Sequence, residues 1–281
     1  MYFFLRGGVE ATDAGIKITP EQPKYAGDTL VRSLGLATRD ALRDTARIFA
    51  GLWRQPNFFK FLLFLAFAAL VRLVILHMYY TYPKFAIREL GEGAPFGHLW
   101  NVNPATIIFL VPLVGALTQK ISAYKMVVCG SFIAACSVFL MAIPPHWFQG
   151  LADGMLGDLI AHRWLKVPGP VNPYYVIIFI YVLCFSVGEA IYSPRLYEYA
   201  AAIAPKGQEA SYMALSYLPF FVAKLFVGKL SGELLAKYCP ATGPRDSATL
   251  WLIIALITAV APLGLLVFRR YIRVQEAGRT A

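Results

Sequence analysis

Four ionisable side chains lie within or beside long apolar runs of this chain: Arg72, His77, Glu189 and Lys224. Glu189 is the most demanding, because it interrupts the apolar stretch from Val176 to Pro194. A carboxylate at membrane depth costs roughly 2.5 to 3.5 kcal/mol on insertion scales, so such an acid usually faces a cavity, a partner or a proton path. Glu189 and Tyr192 are three residues apart, so one helix face offers a carboxylate and a phenol together. Arg72, Leu76 and Tyr79 share a second stripe, with His77 displaced by one residue. Lys224, Gly228 and Ser231 or Gly232 form a third, whose small residues permit close helix approach. Each also has a purely structural reading. Glu189 can be a hydrogen-bonded acid holding two helices in register, and Lys224 its folding partner or a stem reaching an interface. Arg72 can snorkel, and His77 can be a satisfied core imidazole. No nucleophile constellation, phosphate-binding loop or paired-histidine zinc motif occurs, so neither an enzyme nor a cofactor is expected.

The elements that must hold these groups are read from composition. The chain has 281 residues, is 58% hydrophobic and 15% charged, and has a mean hydropathy of +0.57. A water-soluble fold cannot hide that much apolar surface. Six runs reach or approach the roughly 20 apolar residues that cross a bilayer core, at about 58–82, 103–119, 125–143, 174–195, 211–234 and 249–268. Each is continuous, without the period-two alternation of a barrel strand, which predicts an all-α polytopic membrane protein of about six transmembrane helices. Prolines 112, 194, 219 and 262 fall inside or at the ends of these runs, and glycines 115, 130, 188, 228 and 232 suit close packing.

The net charge of +10 is distributed as topology rather than as a nucleic-acid surface. If the first span runs outward, the cytosolic segments hold 17 lysines and arginines: those from Arg6 to Lys60, Lys120, Lys125, Arg195, Lys206, and those from Arg269 to Arg279. The opposite side holds six, Lys84, Arg88, Arg163, Lys166, Lys237 and Arg245, so both termini are expected in the cytosol. Residues 1–56 are read as a cytosolic linker with an amphipathic helix, 57–270 as the transmembrane bundle and 271–281 as a cytosolic tail. The linker begins as loop through Pro23. Its helix runs from Arg39 to Trp53, capped by Thr38, with Leu42, Phe49 and Trp53 near one stripe and Arg39, Arg43 and Arg47 every fourth residue. It is either at the headgroup surface or a solvated linker. Cys129, Cys136, Cys184 and Cys239 suggest neither a disulfide framework nor a metal site. Two stretches on the opposite side, Pro83–Val102 and Pro144–Asn172, are too long for simple turns. His146, Asp153, Asp158 and His162 in the second match no ligand spacing, so no metal is expected. Glu233 and Lys237 are spaced for a surface ion pair. The start Met1-Tyr2-Phe3-Phe4-Leu5 is too short for a cleavable signal peptide.

The run Gly188-Glu189-Ala190-Ile191-Tyr192-Ser193-Pro194-Arg195-Leu196, followed by Ala204-Pro205-Lys206, resembles the tenth helix and following loop of proton-dependent oligopeptide transporters of the major facilitator superfamily. Asn103-Pro104-Ala105-Thr106-Ile107-Ile108-Phe109-Leu110-Val111-Pro112-Leu113 looks like the family's eighth helix, and residues 58–268 are similar in order to helices seven to twelve. The resemblance implies that Glu189 meets the amino end of a peptide and takes part in proton coupling, and that Asn103 contributes to the peptide site. Tyr79 and Tyr192 are grouped with them as substrate contacts, and Lys224, Arg72 and His77 with Glu189 as proton-coupling candidates. Departures are plain: the seventh-helix position offers Arg72 and His77 instead of an acid, Lys224 is foreign to the eleventh, and the first six helices have no counterpart here.

The expected function is thus the C-terminal half of a proton-coupled symporter for peptides or similar small solutes, working by alternating access. Its partners would be a peptide-like solute, protons, the bilayer and a separate N-terminal six-helix half, with no nucleic acid. The alternatives are a carrier for another organic solute, and a half-length membrane interaction protein or gene fragment without transport of its own.

Overall fold

The computed structural model describes residues 9–12, 15–18, 30–53, 56–203, 215 and 217–272. They divide into two compact units, Met1–Phe58 and Phe59–Ala281. The apolar start 1–5, the Ala204-Pro205-Lys206 stretch and the tail from 273 lie outside the described residues.

In the first unit, β1 (Val9–Thr12) pairs antiparallel with β2 (Gly15–Ile18), Val9 opposite Ile18 and Glu10 opposite Lys17. The loop expected here is therefore a short hairpin, in keeping with its β-branched Val9, Thr12, Ile16 and Ile18. Helix α1 (Leu30–Leu52) starts well before Arg39. Thr38 is not its cap: the side chain sits inside the helix and Oγ1 donates to the Leu34 carbonyl at 2.8 Å, the back-bond open to a mid-helix threonine.

The second unit is a helical bundle, and the protein is an all-α polytopic membrane protein apart from that hairpin. After α2 (Pro56–Val71) the chain bends at Arg72 into α3 (Leu73–Tyr80) and at Thr81 into α4 (Tyr82–Leu90). Then come α5 (Phe96–Trp100), α6 (Val102–Leu117), α7 (Ala123–Ala142), the 31-residue α8 (Pro173–Ile203), α9 (Leu218–Tyr238), α10 (Ser247–Val267) and the final turn α11 (Arg269–Ile272). Pro112, Pro194 and Pro262 sit inside α6, α8 and α10, while Pro219 opens α9. Five described helical segments are long and apolar enough to cross a membrane: Phe58–Tyr80, Phe96–Leu117, Ala123–Ala142, Pro173–Tyr199 and Ser247–Val267. The sixth expected span falls short on composition, because α9 carries Lys224, Lys229, Glu233 and Lys237 within 21 residues. Its Glu233 pairs with Lys229 at 3.8 Å rather than with Lys237, which lies over the Tyr238 ring.

Helix α8 packs along α7 and against α6, α10 packs along α7, and α9 lies on α3. The α7–α8 crossing is set by two glycines. A Cβ on Gly188 would stand 2.6 Å from the Ala134 backbone nitrogen and 2.7 Å from the Gly130 carbonyl; one on Gly130 would stand 2.6 Å from the Gly188 carbonyl and the Tyr192 nitrogen. Among the described residues nothing lies within 4 Å of a Cβ on Gly115 or Gly232, and one on Gly228 would meet Tyr80 at 4.0 Å, so the expected close approach along α9 is not found there. Gly264, against Phe67, is a tight position that the sequence did not single out. The core is aromatic: Phe85 meets Tyr174 and Trp251 edge to face, each at 5.2 Å. At one end of the bundle Arg88 donates to the Leu235 carbonyl at 3.1 Å and to that of Cys239, while Ser247 donates to Glu89 at 2.5 Å. At the other, the buried Arg195 donates to the Thr118 carbonyl at 3.0 Å and to Glu198 at 2.7 Å, and Tyr199 to the Ile272 carbonyl at 2.8 Å.

Between α7 and α8 the chain forms a chain of short turns: Pro145–Phe148, Gln149–Ala152, Met155–Gly157 and a π-turn over Asp158–Trp164. His162 closes it, with Nδ1 3.1 Å from Asp158 and Nε2 2.9 Å from the Gly169 carbonyl. Both partners are acceptors, so the imidazolium serves both at once. The Gly169 carbonyl and then Asp158 raise the His162 pKa above its ordinary 6.5, and His162 and then Arg163 lower that of Asp158 below 3.8.

Two outcomes follow from these packings. Gly130→Val and Gly188→Val should each lower the unfolding temperature in detergent, with a cost on the order of 1–3 kcal/mol for overpacking, whereas Gly115→Ala should not. The raised His162 pKa contributes stability that is full below 6.5 and lost as pH rises through the folded value; the lowered Asp158 pKa contributes stability present above 3.8 and lost as pH falls through its own. Amide exchange over 158–169, corrected for intrinsic rates, should accordingly be slowest between those limits, and His162→Gln should remove the alkaline limb.

Candidate functional site

A cavity of about 530 Å³ lies beside α8. Its charged lining comes from three places in the chain: Arg72 at the α2–α3 bend, Glu189 on α8 and Lys224 on α9. Its walls are aromatic, with Tyr79, Tyr80, Tyr217, Phe220 and Phe221.

Glu189 owes its position to the residue before it. Because Gly188 presses its backbone on α7, the next side chain must leave that contact and turn towards α6 and the cavity. There Asn103, in the first turn of α6, donates Nδ2 to Glu189 Oε2 at 2.8 Å and to Ser186 Oγ at 3.1 Å. Ser186 and Glu189 are one turn apart, and the Ser186 hydroxyl spends its own proton on the Val182 carbonyl at 2.7 Å. The amide thus spans two acceptors, and one carboxylate oxygen has a fixed donor.

Arg72 is held differently. Its Nη2 donates to the Tyr197 hydroxyl at 2.5 Å, and the guanidinium lies over the rings of Phe220 at 4.6 Å and Tyr197 at 5.3 Å. Tyr197 in turn lies 5.7 Å from Tyr217, centroid to centroid. The flat cation is clamped between α8 and α9, a geometry that favours arginine over lysine. Its backbone at φ −76°, ψ −5° departs from helical values while the flanking hydrogen bonds persist, which bends the helix without breaking it.

The other expected site residues are placed as follows. Tyr79 lines the cavity and meets Trp100 edge to face at 6.1 Å. Tyr192 is fully buried outside the lining, and its hydroxyl has no hydrogen-bond partner among the described residues. Lys224 lines the cavity with its ammonium 5.7 Å from the Phe221 centroid, and forms no ion pair with Glu189. The two helices adjoin in sequence, but α9 packs on α3 rather than on α8. His77 is away from the cavity and fully buried; Nδ1 lies 2.9 Å from Thr81 Oγ1 and 3.2 Å from Ser231 Oγ, tying α3 to α9. Its displacement by one residue from the Arg72 stripe turns it about 100° round the helix, into that packing face. Among the described residues, no three His, Cys, Asp or Glu side chains gather as metal ligands.

Ser186, Tyr197, Tyr217 and Phe220 were not singled out from sequence. Ser186 and Tyr197 stand three residues before and eight after Glu189, spacings that return to one helix face, so a wider search along α8 would have found them. Phe220 has no such signal.

The clamp on Arg72 is testable by a double-mutant cycle. Arg72→Met and Phe220→Leu should each lower stability in detergent, and their effects should fall short of additivity by about 0.5–2 kcal/mol, the range of a partly desolvated cation–aromatic pair.

Comparison with protein-family models, curated proteins and solved structures finds no match to this chain.

Proposed function

We propose that this chain is one six-helix half of a proton-coupled carrier for small zwitterionic solutes of peptide type, with the cavity beside α8 as its half of the solute site. The observation that carries the reading is the convergence of one carboxylate and two cations, from three separate elements, on a single aromatic-walled cavity. Its roughly 530 Å³ falls within the range of small-molecule sites. The Glu189 carboxylate would receive a solute ammonium, while Arg72 and Lys224 would receive a carboxylate. Asn103 positions Glu189 by holding Oε2, leaving Oε1 for the solute or for a proton.

The proposed coupling is electrostatic. With Glu189 ionised, the cavity lining balances one negative charge against two positive ones. Protonation at a carboxylate oxygen removes that negative charge and leaves both cations for the solute carboxylate. A bound proton and a bound solute carboxylate then favour the same state of the carrier, and this differential affinity is what lets one ligand shift the equilibrium for the other.

A second half would complete the cavity wall. The exposed apolar residues Phe221, Leu225 and Phe226 on α9 and Ile108 and Phe109 on α6 supply surface for it and for lipid. In this reading α9 also crosses the bilayer, its charges met by the cavity or the partner half, and both termini lie on the cytosolic side with most of the lysines and arginines.

The test is proton-driven uptake of labelled di- and tripeptides into proteoliposomes holding the assembled carrier. Glu189→Gln should abolish gradient-driven uptake while leaving the unfolding temperature within a few degrees of the parent. Unchanged uptake removes Glu189 from the coupling. Competition by other organic solutes but not by peptides assigns a different cargo, and no gradient-driven uptake of any solute favours a non-transporting role.

A further inference from the structure

The segment between α7 and α8 carries an apolar stripe that the transport reading does not use. Trp147, Leu151, Met155 and Leu159 recur every fourth residue, and they are 72%, 46%, 86% and 52% exposed; Trp164, at the end of the π-turn, is 41% exposed. On the other side of the same segment Ala152, Ile160 and Ala161 are buried. Gly157 is required for that inner packing, since a Cβ there would stand 1.9 Å from the Ala152 carbonyl oxygen. The polar groups form a rim: Asp153 is held by Gln149 at 2.9 Å, and Asp158 by His162 at 3.1 Å and Arg163 at 2.8 Å. Behind the stripe, Leu156, Leu159, Ile160 and Trp164 join Val102 and Phe179 around a wholly apolar cleft of about 340 Å³.

What covers this face follows from where it is tethered. The segment leaves the membrane-crossing α7 at Ala142 and enters the membrane-crossing α8 at Pro173, and its cleft is walled by Val102 and Phe179 of two spanning segments. It therefore lies at the level where a bilayer passes from headgroup to acyl chain, beside the lipid-facing surface of the bundle. One tryptophan on the stripe and a second at the end of the π-turn, with charges on the rim, are the composition that such a boundary favours.

We infer that residues 145–165 form an interfacial membrane element, lying in the plane of one leaflet with the Trp147–Leu151–Met155–Leu159 stripe and Trp164 among the acyl chains and the Asp153–Asp158–Arg163 rim in the headgroup layer. The apolar cleft takes an acyl chain of a surrounding phospholipid. The element packs on α8 below the Glu189 turn and so couples one end of that helix to the leaflet.

The experiment places nitroxide labels at Met155→Cys, Leu159→Cys and Asp153→Cys in the full chain, carrying Cys129→Ser, Cys136→Ser, Cys184→Ser and Cys239→Ser, in phosphatidylcholine liposomes. Labels at 155 and 159 should collide several-fold more often with oxygen than with a water-soluble nickel chelate, and the label at 153 should show the reverse. Equal chelate access at 155 and 153 overturns the inference. The native-cysteine chain gives an independent measurement. Phosphatidylcholine brominated on its acyl chains should quench the parent more than the Trp147→Phe, Trp164→Phe double variant, and equal quenching of the two overturns the inference as well.

Discussion

The contact on which the rest of the bundle depends is the backbone crossing of Gly130 on α7 with Gly188 on α8. Inside a bilayer, helices gain little from excluding water from one another, so their association rests on close packing and hydrogen bonding. Two helices that meet at glycines bring their main chains nearer than any other residues permit, and that proximity fixes rotation as well as distance. With Gly188 locked inward, Ser186 and Glu189 turn towards α6, where Asn103 meets both. A rotation of α8 by one residue would bury Glu189 against α7 with no donor, at the cost of an unpaired buried charge.

The cavity is built by a second principle, aromatic support of a cation. Among the described residues, rings and a phenol rather than a carboxylate give Arg72 its place. Phe220 and Tyr197 hold its plane, and the Tyr197 hydroxyl accepts a hydrogen bond from Nη2. A guanidinium fixed by rings rather than by an anion keeps its charge available to the space in front of it. Glu189, correspondingly, is fixed by an amide rather than by a cation. The two opposite charges share one cavity, and each is positioned by a neutral neighbour.

How much of this could be read from sequence depends on the range of the forces involved. Five of the spans and the prolines within them follow from composition and lie where the hydropathy of the chain puts them, whereas the face shared by Glu189 and Tyr192 does not bring both to the cavity. The resemblance named Asn103 and Glu189 for one solute site, but no local spacing leads to the hydrogen bond between them, since 86 residues separate the partners. Everything that depended on helix rotation was hidden. Lys224 was set beside Glu189 because their helices adjoin in sequence, but α9 turned to α3, and His77 went with it into a cluster with Thr81 and Ser231. Counting apolar residues also overstated α9, whose charges leave five segments rather than six that satisfy length and composition among the described residues. The start of α1 was missed because its first turns lack the arginine period that marked the rest.

The length of α8 has a geometric consequence. At 1.5 Å per residue its 31 residues extend for about 46 Å, well beyond a hydrocarbon core of about 30 Å. Glu189 stands about 24 Å along the rod from Pro173 and about 21 Å from Ile203 by the same rise. Within the apolar span Pro173–Tyr199, however, the acid stands about 24 Å from the first residue and about 15 Å from the last, so it is mounted nearer the Tyr199 end. Access from the far end must come from the cavity, and not from where the carboxylate is mounted.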